Sequence, residues 1–467
     1  MLLSKIITEL KDIVGKENVI SEKEKMINYS HDEFSLRNYD VFPEIVIKPF
    51  KTEQVSKILK LANQKKISIT VRGAGTGLCC GCIPNFNSIL LSLENMTKFK
   101  LDEKNVMLEA EAGVRLKDIQ EIVKTSKFFF PPQPGDQNAT IGGMISTNAG
   151  GTKAVKYGTI RNFVKGLEVV WANGEISILG GKIIKNSTGY NLLHLLIGAE
   201  GTLGIITKAI INLLPCSSAS LTLIIPYHNL QKAIETVPEI IKSGFLPLSI
   251  EFIEKDVLEI ARTLQNKHWP TKDGEADLVI ILDGTNQENL LEISEKISHI
   301  CFSKEAIDVF IIENKKKQDE ILEIRKSLYE LLKPYLVETL DISLPLAEIS
   351  EHLKKVHQIE KELDVWLPTY GHAADGNVHT HLMKSKFING KWIEIKNWKN
   401  KCETIKEILF LDAKKRGGML SGEHGIGLIK KKYLPIFLDE IQINFMKEIK
   451  KIFDPNNILN SGKIIDL

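Results

Sequence analysis

Two segments far apart in the chain carry the side chains of a catalytic metal centre. They are Tyr370-Gly-His-Ala-Ala-Asp-Gly-Asn-Val-His-Thr-His381 and Ser421-Gly-Glu-His-Gly-Ile-Gly427. His372, His379 and Glu423 make a three-ligand set, and three protein ligands leave a coordination position open for a substrate oxygen. His424 is then available to move a proton. A two-residue type I′ turn at Asp375-Gly376 would pair 374 with 377, 373 with 378 and 372 with 379, setting the two imidazoles directly opposite each other. Read singly, each segment equally describes ordinary hydrogen-bonded histidines beside glycine-rich turns; read together they favour one divalent cation. The donor set suits zinc, with manganese or iron as alternatives.

Such a set needs a scaffold, and the N-terminal half offers one built around glycine. Glu44 to Lys48 reads as a strand, Val55, Ile58, Leu59 and Ala62 as one face of a helix, and Ile67 to Val71 as a second strand. This unit ends in Arg72-Gly-Ala-Gly-Thr-Gly-Leu78, where the backbone can approach a ligand closely and turn amides toward an anion. The spacing fits neither a dinucleotide fingerprint nor a Walker loop. A second block runs from Pro131 through Pro134-Gly-Asp136 and Thr140-Ile-Gly-Gly143 to Gly151, followed by Tyr157-Gly-Thr159. Its small donors and lack of bulk suit burial of a large polar cofactor. Residues 167–171 and 175–179 read as a hairpin about Asn173-Gly174. A third block joins Lys185-Asn-Ser-Thr-Gly-Tyr190 to Gly198-Ala-Glu-Gly-Thr-Leu-Gly-Ile-Ile-Thr207. One such block is as readily a structural loop; three in succession favour a cofactor domain.

Composition narrows the classes. The 467 residues fit two or three subdomains, and 43% apolar with 26% charged residues describes a soluble globular protein. A formal net charge of +2 gives no support to nucleic-acid binding. No apolar run reaches the roughly 18 to 20 residues of a membrane span, so the expected location is the cytoplasm, or the inner face of the membrane through a partner. Only seven of the 61 basic residues are arginine, which draws attention to each place where a planar fork is used. The six cysteines lack repeated Cys-x-x-Cys runs, so an iron-sulfur cluster would belong to another subunit. For Cys79, Cys80 and Cys82, apolar packing is the default and a redox or metal role the alternative. The lysine runs 315–317 and 430–432 read as solvated.

The motifs 72–78, 198–204, 372–379 and 421–425, in this order, resemble those of the FAD-dependent D-2-hydroxyacid dehydrogenases, of the D-lactate dehydrogenase and glycolate oxidase catalytic-subunit type. These belong to the vanillyl-alcohol oxidase superfamily. The resemblance runs from about residue 40 to Phe453-Asp-Pro-Asn-Asn-Ile-Leu-Asn-Ser-Gly-Lys463. It implies an α+β fold: a bipartite PCMH-type FAD-binding domain, a cap domain with an antiparallel sheet, and C-terminal helices returning to the FAD domain. The implied division is an N-terminal helical segment 1–39, FAD-binding domain 40–218, cap 219–405 and C-terminal segment 406–467. FAD would be lined by Arg72, Gly73, Ala74, Gly75, Thr76, Gly77, Leu78, Pro134, Gly135 and Asp136. Thr140, Ile141, Gly142, Gly143, Ser146, Thr147, Gly150, Tyr157 and Gly158 would continue the lining, with Glu200, Gly201, Gly204, Ile205, Ile206 and Asn460. The first loop holds no histidine, which implies non-covalent FAD.

Alcohol oxidation needs a hydride acceptor, removal of the hydroxyl proton and a clamp for the neighbouring carboxylate. The resemblance gives the metal to His372, His379 and Glu423, the proton to His424 and the clamp to Arg325, whose fork matches a carboxylate; a surface helix arginine is the alternative. His381 lies two residues from His379 on the same strand face and either enters the substrate site or packs beside it. D-2-hydroxyglutarate dehydrogenases carry an asparagine and a lysine where this chain has His381 and Thr339. Without that lysine a second carboxylate lacks its cation, which favours a monocarboxylate such as D-lactate or glycolate. The alternatives are a D-2-hydroxyglutarate dehydrogenase, a non-redox flavin transferase of the alkylglycerone phosphate synthase type, and a flavin-binding scaffold subunit. The electron acceptor would be a quinone, a cytochrome, an electron-transfer flavoprotein or a separate iron-sulfur subunit.

Overall fold

The computed structural model describes residues 2–34 and 41–467, with side chains from Ile6 onward. The chain forms two compact units. The first comprises Met1–Gly150, Gly158–Cys216 and Glu423–Leu467; the second comprises Gly151–Tyr157 and Ser217–Gly422.

The first unit holds two main sheets and a two-stranded ribbon of Phe128–Phe129 with Leu214–Pro215. In the smaller main sheet, the strands run in the order Val19–Ile20, Ile45–Ile47, Ile89–Ser92, Ile69–Arg72, and the last three are parallel. Parallel strands are covered on both faces and so read as continuous apolar runs, as Ile-Val-Ile and Ile-Leu-Leu do here. Helix Thr52–Lys65 buries Val55, Ile58, Leu59 and Ala62 at helical spacing against this sheet, and helix Leu2–Val14 adds Ile6, Leu10 and Val14 to the same core. The second sheet is antiparallel, in the order Phe99–Asp102, Met107–Glu111, Ile205–Asn212, Val164–Val170, Ile176–Gly180.

The last two of these strands form the expected hairpin with a different turn. Val170 faces Ile176, and Trp171 N donates to Glu175 O at 2.9 Å. The loop is therefore residues 172–174, one residue longer than a type I′ turn, with Gly174 alone at positive φ (79°). Tertiary packing accounts for it: Ser56 Oγ of helix Thr52–Lys65 donates to Gly174 O at 2.5 Å, and a Cβ at 174 would run into Lys60.

The second unit is built on a seven-stranded antiparallel sheet, in the order Phe310–Ile312, Ala219–Tyr227, Ala276–Gly284, Ser249–Glu254, Thr369–His372, Asn377–Met383, Leu336–Ser343, with a separate two-stranded ribbon of Ser385–Ile388 and Lys391–Glu394. Two expected boundaries move. The cap does not end at residue 405, because helix Trp398–Lys415 runs through it and is held to the sheet by a buried ion pair, Lys406 Nζ to Glu338 Oε2 at 3.0 Å; the chain re-enters the first unit at Glu423. Tyr157, expected in the FAD-binding domain, lies in the second unit, where its hydroxyl donates to Asp283 Oδ2 at 3.2 Å beside the Lys156–Asp283 ion pair. The expected start of the FAD domain at residue 40 lies outside the described residues.

A buried acid on this sheet gives a pH dependence. Glu254 Oε1 lies 3.2 Å from His357 Nε2 of helix Ile349–Leu363. Burial pushes Glu254 up to about 8. The hydrogen bond to Glu254 pushes His357 up to about 9, against burial. Both values lie above the ordinary 4.5 and 6.5 of the unfolded chain, so folding retains protons that unfolding releases. The stabilisation is complete below the unfolded values and is lost as pH climbs toward 8 and 9. The thermal midpoint should therefore fall between about pH 6 and pH 9, and Glu254→Gln should flatten that fall. Equal slopes in variant and parent would contradict the assignment.

Candidate active site and cofactor-binding loops

One face of the seven-stranded sheet gathers the chemistry of the second unit. Residues opposed across antiparallel strands share a face. The pairs Glu251 with His372, Tyr370 with His379, Asp341 with His379, and Thr339 with His381 therefore project all seven side chains to one side. The His372 and His379 rings have centroids 5.3 Å apart at 90°, and both are buried. Two imidazoles so close and on one face fit a shared cation.

The register that achieves this is not the one a type I′ turn would impose. His372 faces Asn377, and His379 faces Tyr370, so the loop is residues 373–376 and the histidines are diagonal neighbours. Only Gly376 of the two turn residues has positive φ (85°), whereas type I′ needs both. Neighbouring strands decide the matter. Ala373 N donates to Ile250 O at 2.8 Å, and Leu344 N donates to Gly376 O at 2.9 Å, so both ends of the loop are committed elsewhere. Because the shift is two residues, the face is preserved; a shift of one would have turned His379 away.

Glu251 joins two of the expected site residues. Its Oε1 lies 2.5 Å from His372 Nδ1, and its Oε2 accepts from Arg325 Nε at 3.0 Å and Nη2 at 2.7 Å. Burial would raise this carboxyl, but the charges of His372 and Arg325 and their hydrogen bonds outweigh it and hold it at about 2. The Arg325 guanidinium also lies 4.4 Å over the Tyr370 ring. Glu251 escaped the reading of the sequence; the available signal was an acid between the apolar Ile250 and Phe252 of a strand. His381 is buried, with its ring 4.6 Å from Tyr370 and Nδ1 donating to Pro368 O at 2.9 Å. Asp341 is likewise buried. Its Oδ1 accepts from Asn377 Nδ2 at 2.8 Å and lies 3.7 Å from His379 Nδ1, while Oδ2 accepts from Ser421 Oγ at 2.7 Å.

In the first unit, Glu423 and His424 open the C-terminal segment, with His424 Nε2 4.0 Å from Glu423 Oε1. Gly150 is glycine for a reason here: a Cβ would lie 3.0 Å from Glu423 Oε2. The turn that follows is pinned by Glu200, whose buried carboxylate accepts from Ile426 N at 2.7 Å and Gly427 N at 2.9 Å. Burial nonetheless pushes Glu200 up.

The expected cofactor residues divide into those that face open space and those that hold the loops. A Cβ at Gly135 would meet nothing and one at Gly77 only Asp32 at 3.9 Å, whereas one at Gly143 would press on Thr140 Oγ1 at 3.2 Å. Half-buried Thr76, Ser146 and Thr147 accompany them. Arg72 does something else: its guanidinium donates to Asn28 O at 2.9 Å and His31 O at 2.6 Å, anchoring the loop. Asn460 accepts from Val71 N at 2.9 Å and donates to Glu200 O at 2.6 Å, tying three segments together. Cys79 and Cys80 are buried, and burial raises the Cys80 and Cys82 thiols, which disfavours the thiolate that redox or metal chemistry would use.

With this geometry in place, comparison with known proteins gives the class. Residues 43–190 match the family described as FAD binding domain, and residues 217–464 match FAD linked oxidases, C-terminal domain. The chain is 41% identical to a D-lactate dehydrogenase of Archaeoglobus fulgidus, covering 90% of this chain and 91% of that one. It is 34% identical to glycolate oxidase subunit GlcD of Bacillus subtilis, covering 99% and 97%. A crystal structure of p-cresol methylhydroxylase with substrate bound superposes with a TM-score of 0.81 at 17% identity, over 99% of this chain and 97% of that one, which speaks to fold alone. The chain belongs to the FAD-linked oxidase family. It is an FAD-dependent oxidoreductase with the two-domain, PCMH-type α+β fold that the motifs implied. Among the described residues no helix is long and apolar enough to cross a membrane.

Proposed function

We propose that this protein oxidises a small D-2-hydroxy acid, D-lactate or glycolate, to the 2-oxo acid. The observation that carries the reading is the sheet face on which a guanidinium, Arg325, lies over Tyr370 two residues from His372. A carboxylate clamp beside two imidazoles suits an acid whose hydroxyl sits next to its carboxyl group. Thr339 on the same face supplies no cation for a second carboxylate.

Flavin would supply hydride acceptance at its ring, and a divalent metal would acidify a ligated hydroxyl. The chain's own residues do the rest. His372, His379 and Glu423 hold the divalent metal, zinc or alternatively manganese or iron, with His372 binding through Nε2 because Nδ1 faces Glu251. His424 removes the hydroxyl proton, Arg325 binds the carboxylate and His381 borders the substrate. FAD is held without a covalent bond by the loops around 72–78, 134–136, 140–150 and 200–206. Electrons leave to a quinone, a cytochrome, an electron-transfer flavoprotein or an iron-sulfur subunit.

Turnover with an artificial dye acceptor tests the substrate. D-lactate or glycolate should be oxidised well, with L-lactate and D-2-hydroxyglutarate at least roughly tenfold poorer in kcat/KM, the discrimination expected from about 1.4 kcal/mol. Preference for D-2-hydroxyglutarate would transfer the protein to the dicarboxylate enzymes.

A further inference from the structure

The geometry points to Glu251 as a positioning residue that couples the carboxylate clamp to the metal ligands, an inference that rests on the function proposed above. Glu251 is 2% exposed and gives one oxygen to His372 and Ser249 and the other to Arg325. Oε1 faces His372 Nδ1 at 2.5 Å and also accepts from Ser249 Oγ at 3.2 Å, while Oε2 takes both Nε and Nη2 of Arg325.

Each contact restricts what its partner can do. A carboxylate at Nδ1 fixes the tautomer of His372, turns Nε2 outward as the ligand atom and raises its basicity, as carboxylates behind metal-bound histidines do. Of the five guanidinium N–H groups of Arg325, Glu251 uses the side formed by Nε and Nη2. The end formed by Nη1 and the second Nη2 hydrogen is left for a substrate carboxylate, so the clamp is end-on rather than side-on. The Tyr370 ring beneath the guanidinium fixes its plane. One buried acid thus sets both the place where the substrate carboxylate docks and the direction in which His372 points. It also keeps the Arg325 charge compensated when substrate is away.

The test is zinc affinity, measured on flavin-loaded full-length protein by competition with a chromogenic chelator. Glu251→Gln removes the charge and presents an amide NH2 to one of two donors. It should weaken Zn²⁺ binding by roughly 10- to 100-fold while the visible flavin band keeps its wild-type intensity. At saturating Zn²⁺ the remaining defect should lie in KM for D-lactate more than in kcat, because the clamp is no longer aligned. Zinc affinity within about twofold of wild type would overturn the proposal, since outer-shell partners of ligating histidines matter more than that. Arg325→Gln provides a second arm if Glu251→Gln fails to load flavin. Arg325 is not in the metal set, yet releasing Oε2 should shift Zn²⁺ affinity by roughly threefold or more, whereas a purely structural Glu251 leaves it unchanged and refutes the coupling. Wild-type protein that takes up no Zn²⁺ would instead refute the metal reading, so the two failures are distinguishable.

Discussion

Replacing His372 with alanine should leave a yellow protein without metal and without turnover. The loops proposed to hold flavin, 72–78, 134–136, 140–150 and 200–206, lie in the first unit and His372 lies in the second, so visible absorbance should stay at its wild-type level. Metal content should fall from one equivalent toward zero, because two remaining protein ligands rarely hold a catalytic cation. The activity loss should be large. A metal that stabilises a developing alkoxide contributes several kcal/mol, and roughly 10²- to 10⁴-fold in kcat/KM follows from that figure. Glu423→Ala should behave in the same way. Metal analysis and steady-state kinetics on the same preparations decide it. Full activity in either variant would remove that residue from the set.

His424→Ala should separate the proton from the metal. It should retain FAD and the full metal equivalent and yet lose roughly 10²- to 10⁴-fold in kcat, the range for loss of a general base. Because the imidazole is replaced by a methyl group, added imidazole should restore part of the rate. Metal loss in this variant would make His424 a ligand, and wild-type turnover would move the base elsewhere.

Much of this arrangement was legible before any coordinates. The glycine blocks marked the FAD-binding unit because close backbone approach and small donors are composition-level requirements, and the histidine segment pointed to His372 and His379, which the sheet carries on one face. Register was less accessible. Both Asn173-Gly174 and Asp375-Gly376 have the preferred type I′ composition, and neither forms that turn. At the first, helix Thr52–Lys65 packs on Gly174; at the second, Ala373 and Gly376 are hydrogen-bonded to Ile250 and Leu344. Local turn preference lost to contacts from segments that the local pattern does not show. Glu251 was missed for a related reason. It meets His372 across 121 positions of sequence, and pairing over that distance depends on the strand order of the whole sheet. Arg72 was placed among the cofactor residues by its motif, yet its guanidinium turns back to Asn28 and His31, a direction that neither loop composition nor spacing encodes.

The most direct test of the central claim is an anaerobic titration followed in the visible spectrum, with D-lactate as donor and L-lactate as its stereochemical control. Hydride chemistry resides in the flavin, so the flavin band itself reports the reaction. The account predicts that D-lactate bleaches the oxidised band stoichiometrically and that L-lactate leaves it intact. A flavin-loaded, metal-replete protein that stays oxidised with D-lactate, and then with glycolate, would contradict it.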